Sequence, residues 1–136
     1  MIIADTNVVS ELMLPVASER VQAWVTEQRK KDEVWLTAIN VAEIVYGVEL
    51  LPKGKRRDEL RPCLATEFVD RILSFDEPAA RAFGEIAAAR RLMGRPISEF
   101  DAQIASITRM NDATLATRNT ADFEGCGIRL VNPWVD

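Results

Sequence analysis

The chain has 136 residues, 48% hydrophobic and 28% charged, which is the make-up of one globular domain spanning 1–136 and excludes disorder or a fibrous build. The absence of histidine excludes Ser-His-Asp triads, Cys-His dyads and imidazole bases, and leaves only Cys63 and Cys126 as lone thiols for a zinc site. With 21 acidic against 17 basic side chains, the net charge of -4 argues against binding polyanions through overall charge.

Met1 to Ala4 is an apolar run that suits a strand buried on both faces, with Asp5 at its carboxyl end. Val8, Val9 and Leu12 predict a short helix. Ser18 caps a second helix that carries Val21, Trp24 and Val25. Val34 to Thr37 reads as a strand, and Ile39 to Leu51 as a helix closed by Pro52 and Gly54. Lys55 to Leu73 reads as helical, with Leu60, Leu64, Phe68 and Ile72 on one stripe and Pro62 as an interruption or first turn; Ile72 to Phe75 is also a candidate strand. Pro78 opens an alanine-rich helix that ends near Gly94, and Ser98 to Met110 is a further helix. Ala113 to Thr117 and Ile128 to Val131 are short strands flanking the turn-rich stretch Arg118 to Gly127. Alternating strands and helices predict a parallel α/β sheet covered by helices. Nothing resembles a signal peptide or a run of ~18 apolar residues, so the expected location is cytoplasmic, with no membrane contact.

Ligands of open α/β sheets bind at the carboxyl ends of the strands, where Asp5 falls, although Asp5 or Thr6 also suits a helix cap. On its helix, Glu43 shares a face with Ile39, Tyr46, Gly47 and Leu50, so its carboxylate requires a proton, an ion pair or a cation. Asp101 has the spacing of a capping box with Ser98, yet Ile97, Ile104 and Ala105 share its face. Asn119 and Asp122 follow another strand end and also suit a turn. Gathered in one cleft without His or Cys, such carboxylates would stay ionised only around cations, and an all-oxygen set suits Mg2+ or Mn2+. Phosphodiester hydrolysis is the reaction that chemistry suggests.

Ile3 to Glu11, Thr37 to Glu43 with Gly47, Asp101 to Ala105, Ala116 to Phe123 and Val131 to Trp134 together resemble the PIN domain, in the type found among toxins of bacterial VapBC and FitAB toxin–antitoxin pairs. The resemblance covers nearly the whole chain in family order. It implies a three-layer α/β/α sandwich around a parallel sheet of about four to five strands, and a metal-dependent ribonuclease. Asp5, Glu43 and Asp101 match the family's regular acidic metal ligands. The fourth acid usually follows the Thr-Arg pair directly, where this chain has Asn119; either Asn119, through its carbonyl oxygen, or Asp122 takes that place. Thr6 and Thr117 match hydroxyl positions that hold ligands or a water, and Arg118 is the candidate for holding RNA. Lys53, Lys55, Arg56, Arg57, Arg61, Arg90, Arg91 and Arg95 are further basic candidates. The resemblance also implies a homodimer, inhibition by a small antitoxin protein inserted into the acidic cleft, and DNA contact only through that antitoxin. Met13, Leu14, Trp24, Tyr46 and Leu51 offer apolar area for such contacts.

Two other classes fit part of the pattern. A PIN-like binding module without activity is motivated by Asn119. An aspartate-nucleophile phosphatase would use Asp5, but Asn7 stands where its second Asp belongs.

Overall fold

The apolar runs become five parallel strands. In the computed structural model, residues 1–31, 33–67 and 70–136 are described, with side chains throughout except at 63–67. The chain runs β1 (Ile2–Ala4), α1 (Thr6–Leu12), α2 (Glu19–Lys30), β2 (Val34–Thr37), α3 (Ala38–Glu49), α4 (Lys55–Glu67), β3 (Ile72–Leu73), α5 (Glu77–Leu92), α6 (Glu99–Met110), β4 (Thr114–Ala116), a 3-10 turn (Thr120–Phe123) and β5 (Arg129–Val131). The sheet order is β3-β2-β1-β4-β5, with Ile3 of the central strand opposite Trp35 on one side and Leu115 on the other.

Side chains alternate across the strands, so the sheet feeds two cores. Ile3 and Leu115 point to the side of α5 and α6, where they meet Ile86, Ile104, Ile107 and Phe123. Ala4, Val34, Leu36 and Ala116 point the other way, against Val8, Val21, Ile44, Val48 and Leu60 of α1 to α4. Burying each large side chain contributes about 1.5–3 kcal/mol, and neither sheet face could stay exposed. The result is the three-layer sandwich.

Side-chain caps set the helix starts, Ser18 and Ser98 among them as the sequence suggests. Ser18 accepts from the Val21 amide, Thr37 from Asn40 and Ser98 from Asp101, while Pro78 lies in the first turn of α5 behind its cap Asp76. One expectation needs correcting: the helical reading from Lys55 to Leu73 is too long. The helix ends by Glu67 with Pro62 inside it, and Ile72 and Leu73 instead pair with Leu36 and Thr37 at the sheet edge, where strand hydrogen bonding overrides the helical spacing. Phe68 and the side chains of Cys63 and Leu64 lie outside the described residues.

From β1 the chain adds strands on one side as far as β3, then returns to place β4 and β5 on the other side of β1. The strand order therefore reverses at β1 and β4, and a crevice opens at their carboxyl ends. The C-terminus is fastened nearby: Arg20 donates to the Val135 carbonyl (2.7 Å) and the Trp134 indole to Glu11 (3.3 Å). Among the described residues no helix is long and apolar enough to cross a membrane.

Candidate metal centre

Asp5 follows β1 directly and is 6% exposed. Its carboxylate accepts from the Thr6 amide (2.8 Å) and the Thr117 hydroxyl (2.8 Å), with longer contacts from the amides of Asn7 and Asn40 (3.4 Å each). Capping and site roles coincide, because Asp5 is the N-cap of α1. Burial raises its pKa above the ordinary Asp value; the bonds from Thr117, Thr6 and Asn40 pull it back, and the charge of Asp122 adds to the rise.

Glu43 lies half-buried on α3 and accepts the Thr6 hydroxyl at 2.9 Å. Thr6 thus links two acids, through its amide to Asp5 and through its hydroxyl to Glu43. Burial raises the Glu43 pKa first, the Thr6 bond opposes it, and the charges of Asp5 and Asp101 raise it further. Asp101 stands in the first turn of α6, where Ser98 receives its backbone amide (3.2 Å). Its pKa is also raised, by burial and then by Asp5 and Asp122, against the lowering effects of Ser98 and Arg90. The structure therefore brings Asp5, Glu43 and Asp101 within electrostatic reach of one another, with Asp122 acting on Asp5 and Asp101.

Between the two candidates for the fourth position, it is the carboxylate of Asp122 whose charge reaches Asp5 and Asp101. Asn119 is exposed, its amide donates to Thr117 (3.1 Å), and its side chain does not cap the 3-10 turn that follows. Thr117 is fully buried between strands and site, donating to Asp5 while accepting from Asn7 (3.2 Å) and Asn119. Arg118 is exposed beside this network, its amide bonded to Asn7 (3.2 Å) and its guanidinium 5.1 Å from the Trp134 ring centre.

Among the described residues no group of three or more His, Cys, Asp or Glu stands close enough to form a ready-made metal cage. Like charges in one crevice favour such a spread. The donor set nevertheless fits a hard divalent cation: every candidate ligand is an oxygen, the acids carry charge that burial disfavours, and the donors holding Asp5 and Glu43 are neutral hydroxyls and amides.

Two residues of this network were not among the sequence candidates. Asn40, fully buried, accepts from the Thr37 amide (3.0 Å) and hydroxyl (2.7 Å) and donates to Asp5 (3.4 Å) and Thr6 (3.1 Å). Its signal was the T-x-x-N spacing before an apolar helix and a face shared with Glu43 and Ile44. Asn7, two residues after Asp5, ties the end of β1 to the loop after β4. The basic candidates also sort themselves: Arg61 pairs with Glu49 (2.6 Å), Lys55 with Glu59 (3.8 Å) and Arg95 with Glu124 (3.5 Å). Arg90 is not on a solvated face but 4% exposed and bonded to backbone carbonyls.

Next to the site lies an open cavity of about 400 Å3, with Met13, Leu14, Pro15, Val48 and Leu51 among its lining and Glu43 in its wall. Arg56 borders it and donates to the Met13 carbonyl.

Comparison with known proteins bears on all of this. The PIN domain family matches residues 2–125. Toxin FitB of Neisseria gonorrhoeae is 39% identical over 140 residues, covering 100% of both chains. VapC ribonuclease Y4jK of Sinorhizobium fredii is 36% identical over 142 residues, covering 98% of each. The solved structure of FitAB bound to an IR36 DNA fragment superimposes with a TM-score of 0.90 at 38% identity, over 98% of this chain and 96% of that one.

Proposed function

The chain belongs to the PIN domain family, and from that membership together with its acidic site we propose that it is a Mg2+- or Mn2+-dependent endoribonuclease, the toxin of a toxin–antitoxin pair. The observation that carries the proposal is the placement of Asp5, Glu43 and Asp101 around the strand-order reversal, where burial raises all three pKa values and only neutral donors hold Asp5 and Glu43. The names of its relatives, a toxin and a ribonuclease, support the same reading.

Asp5, Glu43 and Asp101 would hold the cation. When bound, it activates a water and takes up charge developing on the phosphoryl group. Thr6 and Thr117 fix the carboxylates that they bond, so ligand orientation is set before the cation arrives. Asp122, exposed beside them, would take the proton released as the water oxygen bonds to phosphorus and hand it to the oxygen that leaves as the bridging P–O bond breaks. Asn119 offers a neutral carbonyl oxygen beside it. Arg118 supplies positive charge for the RNA backbone, its main chain held by Asn7 on one side and by Asn132 on the other.

The apolar cavity beside Glu43 suits a segment of a small antitoxin that ends in a basic side chain, which would occupy the acidic cleft. Contact with DNA would come through that antitoxin, in keeping with the FitAB–DNA assembly. A homodimer in the cytoplasm completes the proposal.

The test is cleavage of total bacterial RNA by the purified chain with Mn2+ or Mg2+, with EDTA and Asp101→Asn as controls. Cutting lost in both controls supports the proposal. Folded, antitoxin-free protein that binds Mn2+ poorly and cuts nothing would sink it in favour of the binding module that Asn119 motivates.

A further inference from the structure

Arg90, on α5, is a buried cation whose hydrogen bonds go to the backbone of the far side of the site. Its Nε donates to the Arg95 carbonyl (2.7 Å), and its Nη1 to the carbonyls of Asp122 (2.8 Å) and Glu124 (3.1 Å) and to the Cys126 sulfur (3.6 Å). Arg95 begins the connection that leads to Ser98 and the first turn of α6, where Asp101 stands. Asp122 and Glu124 belong to the 3-10 turn and its exit. One guanidinium therefore joins the two segments that bring Asp101 and Asp122 to the crevice. The turn is shaped for it: Gly125 and Gly127 take φ of +80° and +71° on either side of Cys126, a left-handed geometry that lets the backbone fold back toward the buried charge. Desolvating a guanidinium is costly, and carbonyl acceptors offset that cost only if their geometry is maintained, so the arrangement is stiff.

We propose that Arg90 is a positioning residue of the site, which fixes the Asp122 turn at the distance from Asp101 that cation binding and hydrolysis require. This rests on the nuclease reading above. Arg90 acts through the backbone of the Asp122 turn; its charge, which also lowers the Asp101 pKa, is retained in Arg90→Lys. Lysine cannot replace it fully, because an ammonium lacks the fork that reaches three carbonyls from one stem.

The experiment is a double-mutant cycle on the full chain, with Arg90→Gln, Asp122→Asn and the pair, and with Arg90→Lys as the variant that keeps the charge and the fold. Urea unfolding sets the folded fraction of each. Calorimetric titration with Mn2+ alone then gives the affinity of the site, and cleavage of a short RNA gives kcat and KM per folded molecule. Supporting residues of metal sites typically change affinity or rate 10- to 100-fold, so Arg90→Gln should lower Mn2+ affinity and kcat by about tenfold, with KM for RNA within about twofold. Arg90→Lys should fall in between. In the Asp122→Asn background, Arg90→Gln should add less than about twofold, since both changes remove the same contribution. Full multiplication of the two effects, or wild-type Mn2+ affinity and kcat in both folded Arg90 variants, would overturn the positioning role while leaving the nuclease reading intact. A wild-type chain that neither binds Mn2+ nor cuts RNA removes the nuclease reading and this inference with it.

Discussion

Asn40→Asp is the sharpest test of how the site is held. The change keeps shape and volume, and the new carboxylate still accepts from the Thr37 amide and hydroxyl at the distances of 3.0 and 2.7 Å. What inverts is the other end, where an amide that donates to Asp5 at 3.4 Å and to Thr6 at 3.1 Å becomes an acceptor. Losing two hydrogen bonds costs about 1 kcal/mol each. Two carboxylates roughly 4 Å apart repel by about 4 kcal/mol at an effective dielectric of 20. At pH 7.5 the variant should therefore lose about 6 kcal/mol, much of the stability of a domain this size. A proton shared by the pair relieves the repulsion, and since taking up that proton costs about 1.5 kcal/mol at pH 5, the loss there should shrink to about 3.5 kcal/mol. The sign follows from proton counts: the folded variant binds more protons than the unfolded chain, so its stability falls as pH rises. Urea unfolding followed by circular dichroism at both pH values, in EDTA, measures this, with Asn40→Ala as a control that adds no charge. Equal losses at the two pH values, or a loss under about 1 kcal/mol at pH 7.5, would refute the placement of Asn40 against Asp5.

Asp101→Asn should abolish metal-dependent cleavage by about two orders of magnitude or more, and in EDTA at neutral pH it should melt above the wild type, because it removes a charge that burial and Asp5 disfavour. A lower melting temperature without metal would contradict that. The wild type carries three carboxyls with raised folded pKa values, Asp5, Glu43 and Asp101. Their contribution to stability is present while they are protonated and is lost as pH rises from the ordinary carboxylate range through their folded values. The urea midpoint without metal, relative to Asp101→Asn, should fall over that interval, and saturating Mn2+ should reverse the trend; a metal-independent difference would exclude cation binding here. Gly84→Ala should raise stability by about 0.5–1 kcal/mol, because the position lies inside α5 and a Cβ there meets nothing within 4 Å. A thermal melt unchanged or lowered would mean that this face of α5 is covered.

The parts of the fold written in contiguous residues were legible before the structure. The inner strands β1 and β2 stood out because the sheet is buried there on both faces, so their apolar runs are unbroken, and the caps Ser18 and Ser98 marked helix starts by local chemistry. As candidates, Asp5 was legible from its place at a strand end, and Glu43 and Asp101 as acids on apolar helix faces. What the sequence concealed depends on contacts between distant segments. Asn40 reaches Asp5 across 35 positions, and Arg90 reaches Asp122 across 32. As part of Arg90-Arg91 on an alanine-rich helix, Arg90 reads as a solvated charge, and only the turn of 120–123 folded above it reveals the carbonyls that it serves. The choice between Asn119 and Asp122 has the same origin. Both stand in one loop, and the direction of each side chain is set by a 3-10 turn that no periodicity announces.

The distribution of donors gives the site its chemical character. Each hydrogen bond to Asp5 and Glu43 comes from a hydroxyl or an amide, while Arg90 gives its hydrogen bonds to carbonyls, acting on Asp101 through its charge, and Arg118 lies over Trp134. Had an arginine taken the place of Thr117 or Asn40, it would have neutralised Asp5, lowered its pKa and made the fold more tolerant of neutral pH, but it would also have competed with any incoming cation. Neutral donors orient the acids without cancelling their charge, and the fold consequently carries a destabilising cluster at its strand-order reversal. Under the proposed function, such a cluster would be relieved by a divalent ion during catalysis, or by the basic side chain of an inhibitor when catalysis is to be prevented. The same charge thus accounts for both halves of the proposed function: it would bind the ion that the reaction needs, and it would provide the counter-charge by which a partner displaces that ion.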